Sequence, residues 1–395
     1  MCEVLIAGSG PAGAELARLL AESGHPVLLV DALPDLRQAA FSSAALPLEA
    51  VERFGIPPSV QASTWSRWLL LGPGLGRREW ASSSGETLGA VLDFGALRQW
   101  LAQRAVAAGA QLQLGWRAVR WEQGEGAVRT LLRNRQGEHR WVRSGWLVDA
   151  TGQQRALIGD PDPAREPLVS GLGVEWLLQV DPERWQLWAD RLSFLMGTNW
   201  VAQGYGWVFP MQPGQLKLGV CRLQDPDRPQ PPLHQLLQAA LERLNLQQAR
   251  VLDRHGGLIR STVRRSEPHR QGRLLGLGDA VSTANLLGGE GIRHALASSH
   301  VLAPLLMQAI QGQPQALDRY PARLRRALGW RWNLSGRLAR RTWLGLRSPE
   351  ADQRLERLLR GLEANASAAD LSALLFHYRF ERYGWKALPY LLGWR

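Results

Sequence analysis

Cysteine is almost missing from this chain: Cys2 and Cys221 are the two in 395 residues, far apart, with no CxxC pair and no histidine cluster beside either. That excludes a disulfide-stapled scaffold and a cysteine-based zinc site, and no metal is expected. Lysine is as scarce, with Lys217 and Lys386 alone among 47 basic residues, so the formal charge of +12 is an arginine charge. A GC-rich genome produces that skew without selection for binding, and nucleic acid is not expected as a partner although clustered cations neutralise phosphates. No apolar run approaches the roughly 18 residues that span a bilayer. The strand-like Val4, Leu5, Ile6 and Ala7 follow Met1 so closely that a cleavable signal peptide has no room. The protein is therefore expected to be cytoplasmic or peripherally bound to a membrane. No segment has the Ser/Gly/Pro or single-charge bias of a disordered tail; 45% hydrophobic and 21% charged residues belong to an ordinary folded chain, long enough for two lobes.

The positive charge concentrates between residues 319 and 360. There Arg323, Arg325, Arg326, Arg331, Arg337, Arg340, Arg341 and Arg347 precede the first acid, Glu350, with Trp330, Trp332 and Trp343 interleaved. Two readings fit: a helix lying on an anionic membrane surface, or a solvated helical face whose tryptophans pack inward. The histidines, among them His25, His255, His269 and His300, are scattered without ligand or relay spacing.

Residues 3–7 read as a short apolar strand, followed at once by Gly8-Ser9-Gly10-Pro11-Ala12-Gly13 and a helix with Leu16, Leu19 and Leu20 on one face. Gly8 permits the tight turn, Gly10 lets the backbone approach a pyrophosphate, and Gly13 lets helix and strand pack closely, while the helix N-terminus aims amides at the phosphates. A second apolar strand over 26–30 stops on Asp31, about 20 residues beyond the turn, where an acid accepts hydrogen bonds from an adenosine ribose. Together these specify a dinucleotide site and leave FAD and NAD open.

Later segments carry a family resemblance. Leu147-Val148-Asp149-Ala150-Thr151-Gly152 resembles the DATG segment that flavoprotein hydroxylases and geranylgeranyl reductases place near the dinucleotide. An apolar strand over 274–277 leads into Gly278-Asp279, and Gly288-Gly289-Glu290-Gly291-Ile292 heads an apolar helix. This pair is similar to the GD…GEGI element of the geranylgeranyl reductase and lycopene cyclase-like flavoproteins. Gly204-Tyr205-Gly206-Trp207-Val208-Phe209-Pro210 resembles the YxWxFP motif of geranylgeranyl reductases. The resemblance spans most of residues 1–310 and identifies a geranylgeranyl reductase and lycopene cyclase-like FAD-dependent oxidoreductase, related to flavoprotein hydroxylases.

It implies FAD contacts at Gly8, Gly10, Pro11, Ala12, Gly13, Asp31, Gly152, Gly278, Asp279, Gly289, Gly291 and Ile292. It also implies a loop against the isoalloxazine, with Ser43 and Ala44 as contacts, and a substrate side built from Tyr205, Trp207 and Phe209. Physically, an aspartate after a strand accepts hydrogen bonds from ribityl hydroxyls, and glycines at a helix start present amides to the flavin edge that gains negative charge on reduction. Where reductases carry an arginine shortly before the helix that resembles 97–109, this chain has Asp93-Phe94; Arg98, one turn later, is expected to supply that cation to the pyrophosphate. No catalytic acid is identified; Glu290, Arg293 and His294 lie nearest the implied flavin edge.

The expected fold is α/β (α+β): a Rossmann-type FAD-binding domain split in sequence (1–165 and 263–312), a mostly antiparallel substrate sheet over 166–262, and a C-terminal helical cap over 313–395. The cap leucines, Leu355, Leu358, Leu359, Leu362, Leu371, Leu374 and Leu375, are expected in its core. The resemblance implies that reduced flavin reduces a C=C bond of a hydrophobic isoprenoid-type substrate. With no second GxGxxG, the external reductant is NADPH bound transiently or an electron-transfer protein. A redox-neutral carotenoid (lycopene) cyclase, an FAD-dependent monooxygenase or hydroxylase, and a flavin-binding sensor are the alternatives; YxWxFP favours the reductase.

Overall fold

Strands Cys2–Ala7 and Val27–Asp31 are nearly continuous apolar runs, as strands covered on both faces must be. In the computed structural model, which describes residues 2–263, 267–379 and 381, they pair in parallel with each other. Cys2–Ala7 also pairs with His139–Asp149, and Val27–Asp31 with Gln111–Leu114. The return strand Leu274–Gly276 extends the parallel set alongside 147–149, so the sheet is completed by chain that has first built the other lobe. Helices Pro11–Glu22, Phe94–Ala107 and Ile292–Ile310 pack together over this sheet. Leu16, Leu20, Leu97, Leu101, Leu296 and Leu302 interlock with Val4 and Ile6; each fully buried leucine is worth about 1.5–3 kcal/mol.

The second sheet has seven strands in the order Arg250–Ser261, Val169–Gln179, Gln215–Leu223, Gly204–Pro210, Arg191–Met196, Arg67–Leu71 and Arg77–Ala81. All its pairs are antiparallel except Arg191–Met196 with Arg67–Leu71. The last two strands correct the division drawn at residue 165. A segment read as part of the dinucleotide lobe crosses over and finishes the substrate sheet, because Trp68, Leu69, Leu70 and Leu71 find their apolar partners there. A small sheet of Ala45–Pro47, Gly89–Leu92 and Gln61–Trp65 bridges the lobes.

Helices Tyr320–Gly345, Pro349–Asn365 and Ala368–Leu375 form the cap. The first bends at Gly329, whose φ of 83° is non-helical. Ser348 caps the second, and Ser367 with Asp370 makes a capping box on the third. Arg78 fastens the cap to the sheet through Glu356 and Glu363. Trp332 and Trp343 are buried, 3% and 6% exposed, while Trp330 is 62% exposed. Two of the three tryptophans therefore pack inward and one faces water. The cap as read from sequence runs on over 380 and 382–395, which lie outside the described residues. Among the described residues no helix is long and apolar enough to cross a membrane.

Candidate functional site

The glycine turn is held by close approach. Gly8 has φ 109°, and a Cβ there would lie 2.2 Å from the Ala150 carbonyl oxygen; a Cβ on Gly13 would lie 1.9 Å from the Gly8 carbonyl oxygen. These two glycines weld strand, turn and helix. Gly10 differs: its backbone is extended, and a Cβ would meet no protein atom within 4 Å. It borders open space at the N-terminus of Pro11–Glu22, where the first-turn amides lack helical partners. Asp31 is fastened beside this space, Oδ2 accepting from the Ser9 amide at 2.7 Å and Oδ1 from Leu33 N at 2.9 Å. The buried Ser9 hydroxyl has no partner. An open, amide-lined cradle with an acid at its edge fits a dinucleotide.

From the cradle a cavity of ≈ 300 Å³ runs between the lobes. One wall comprises Pro11, residues 41–46, Asp279 and 288–292; the facing wall is Tyr205, Trp207 and Phe209 of the seven-stranded sheet. The structure thus brings together Pro11, Ser43, Ala44, Asp279, Gly289, Gly291, Ile292 and the three aromatics. Gly278 stands behind the wall, a Cβ there lying 2.8 Å from that of Ala12. Gly152 lies outside the lining, following Ala150 and Thr151, which press on Gly8. The preceding Asp149 is a structural acid: fully buried, it accepts from Thr151 N and Oγ1, Leu157 N and Ile158 N.

Arg98, expected at the pyrophosphate, is engaged with the chain beside Asp31. Its guanidinium donates to the carbonyl oxygens of Leu36 and Gln38, the latter at 2.6 Å, and lies over Phe94. It clamps the loop after Asp31 and is not a lining residue of the cavity.

The loop at 41–46 is pinned to the sheet by residues that no motif announced. Lys217 Nζ donates to the Ser42 carbonyl at 2.7 Å and stands 3.9 Å from Glu175, whose other oxygen accepts from Trp207 Nε1 at 2.8 Å. Phe41 lies over Gly257, where a Cβ would fall 2.2 Å from its ring. Ala44 holds a left-handed backbone, φ 55°, with its amide on Ser42 Oγ. A non-glycine residue there costs about 1–2 kcal/mol, strain that the docking of the loop sustains.

A second cavity, ≈ 520 Å³, adjoins the first. Phe194, Tyr205, Gly288, Glu290, Trp343 and Phe376 border both. Beyond them the wall is mostly apolar, built from Leu70, Met196 and the leucines of the cap, Leu355, Leu358, Leu359, Leu362, Leu371, Leu374 and Leu375, with Arg341, Thr342 and Arg354 as its polar part. The core reading of that stripe holds, and the leucines that pack on their neighbours also line this internal space.

At the junction, burial raises the Tyr205 hydroxyl well above its ordinary range, reinforced by Cys221, and pushes the Cys221 thiol up to about 12. Both hold their protons at neutral pH. Glu290 goes the other way: burial would raise it, but Arg293, His294 and the Tyr378 hydroxyl, which donates at 2.8 Å, hold it below the usual carboxylate range. Arg293 also donates to the Phe376 carbonyl, tying the helix start to the end of the cap.

A Rossmann lobe joined to a seven-stranded sheet, with a cavity running from a dinucleotide cradle between them, defines the flavoprotein class. The chain belongs to the FAD-binding domain family, whose profile matches residues 1–332; FAD is its cofactor and oxidoreduction its chemistry. Over 343 residues it is 26% identical to digeranylgeranylglycerophospholipid reductase 2 of Methanopyrus kandleri, a match covering 83% of each chain. It is also 26% identical over 325 residues to the digeranylgeranylglycerophospholipid reductase of Haloferax volcanii, covering 78% of this chain and 76% of that one. Among solved structures, a geranylgeranyl bacteriochlorophyll reductase-like protein of Thermoplasma acidophilum superposes with TM-score 0.82 over 99% of both chains at 22% identity, a likeness of fold.

Proposed function

We propose that the chain reduces C=C bonds of a hydrophobic isoprenoid-type lipid. The observation that carries this reading is the large apolar cavity adjoining the cradle's cavity at Tyr205, Glu290 and Trp343. Its ≈ 520 Å³ lies within the roughly 300–1,000 Å³ of ligand pockets. The reductase relatives support the same substrate class.

Gly10, Pro11, Asp31, Ser43, Ala44, Asp279, Gly289 and Gly291 would hold FAD, which when reduced would supply the hydride. The leucine wall excludes water and keeps the alkene against the junction. In this reading Tyr205 is the proton donor: its buried phenol keeps a proton at Oη on the border of both cavities, gives it to the carbon that does not receive hydride, and regains one from solvent before the next turnover. NADPH or an electron-transfer protein restores the reduced state. The division of labour follows the corrected topology, with 1–60, 93–165 and 263–312 serving the cofactor and 61–92 with 166–262 the substrate. The exposed Trp330 on the arginine-rich helix Tyr320–Gly345 supports contact with an anionic bilayer; liposome co-sedimentation of wild type against Trp330→Ala tests this.

The deciding experiment is anaerobic. The flavin is reduced chemically and its absorbance followed while geranylgeranyl-type alkenes are added. Reoxidation by the alkene with a saturated product establishes the reductase. Reoxidation by oxygen alone rejects it and turns attention to hydroxylase chemistry; isomerised product without reoxidation indicates a cyclase.

A further inference from the structure

The apolar cavity has one charged end. Its lining includes Arg341, Thr342 and Gly345 from the last turns of Tyr320–Gly345, all exposed, and Arg354 from Pro349–Asn365, half-buried. These residues frame the solvent mouth, whereas Tyr205 and Glu290 lie at the buried end. Arginines that hold this lobe together are paired, Arg78 to Glu356 and Glu363 and Arg191 to Glu79. Among the described residues, Arg341 and Arg354 make no ion pair. Glu350, one turn before Arg354, feels its charge but is fully exposed and forms no salt bridge with it.

Two unpaired guanidiniums at the mouth of a leucine-lined cavity match an amphiphile. The apolar tail gains by leaving water, and the anionic head gains two planar, charge-assisted donor sets without entering the low-dielectric interior. We propose that Arg341 and Arg354 form a head-group subsite that takes the phosphate of a phosphate-bearing isoprenoid lipid whose tail occupies the cavity. This rests on reading the cavity as the lipid site.

The test is equilibrium binding to the oxidised, FAD-loaded protein, which cannot turn over, read by calorimetry and by perturbation of the flavin spectrum. The ligands are geranylgeranyl phosphate, geranylgeraniol and inorganic phosphate, at low and high salt. The variants are Arg341→Gln, Arg354→Gln, the double variant, and Arg323→Gln as a control on the same helix away from the cavity. The wild type is expected to bind the phosphate ester roughly 10- to 100-fold more tightly than the alcohol. The double variant should lose that preference while keeping its affinity for the alcohol, Arg323→Gln should leave both unchanged, and inorganic phosphate should bind far more weakly than the ester. A double variant that retains the preference overturns the subsite while leaving the cavity reading intact. Inorganic phosphate binding as tightly as the ester overturns it in favour of a free-anion site. If wild type binds neither lipid, the cavity reading fails and the subsite with it.

Discussion

The cradle and the apolar cavity are built in opposite ways. The cradle comes from one short stretch, residues 8–13, with Asp31 nearby, and backbone shapes it: Gly8 and Gly13 have no room for a Cβ, and Gly10 borders open space. The cavity is gathered from strands Arg67–Leu71, Arg191–Met196 and Gly204–Pro210 and from all three cap helices, and side chains shape it. A backbone-shaped site fails outright when one methyl is added. A side-chain-shaped site changes by degrees with volume.

That contrast can be broken most severely at Gly13. Gly13→Val forces atoms into the Gly8 carbonyl and is expected to remove more than about 4 kcal/mol of stability, seen as loss of a cooperative thermal transition. Gly10→Val separates fold from function: the FAD-free protein should melt within about 1 kcal/mol of wild type, while the purified protein loses its yellow colour. A stable, fully yellow Gly10→Val would detach the cradle from the cofactor.

A third test uses pH. On the cradle helix, burial pushes Glu15 up, but hydrogen bonds from Arg18 and His300 outweigh it and bring its pKa to about 2. A depressed carboxylate stabilises the fold above its unfolded pKa of 4.5, and the stabilisation is lost as pH falls toward 2. Glu15→Gln should therefore destabilise by on the order of 2 kcal/mol at neutral pH, discounted for partial solvation, with the difference from wild type vanishing at low pH. A pH-independent gap in thermal melts would show that Glu15 acts through packing alone. The smallest effect is expected in the cavity: Leu358→Phe fills space that leucine leaves open, so stability should change by less than about 1.5 kcal/mol, with lipid binding down roughly tenfold, about 1.4 kcal/mol, and FAD content unchanged. Equal lipid affinity would place the tail elsewhere.

Legibility followed the same division. Gly8 to Gly13 and Asp31 were readable because short-range backbone geometry requires those residue types at those spacings, and the segments at 278–279 and 288–292 through the GD…GEGI element they resemble. Tyr205, Trp207 and Phe209 were readable through the motif they resemble. Lys217 and Glu175 were not, since a single buried lysine and glutamate carry no pattern until Ser42 and Trp207 are brought to them. The hold of Arg98 on Leu36 and Gln38 was not readable either, because its position on a helix does not tell which loop its guanidinium reaches.

The sequence by itself determined the dinucleotide cradle, the split Rossmann lobe and the leucine stripes of the cap, because local sterics and periodicity write these into neighbouring residues. Only the tertiary structure decided that strands 67–71 and 77–81 belong to the second sheet, that the stripes surround a cavity, and that Arg341 and Arg354 stand at its mouth. A helical stripe of leucine reads the same whether the opposing space is filled or open, and what stands opposite is settled by residues far away in the chain.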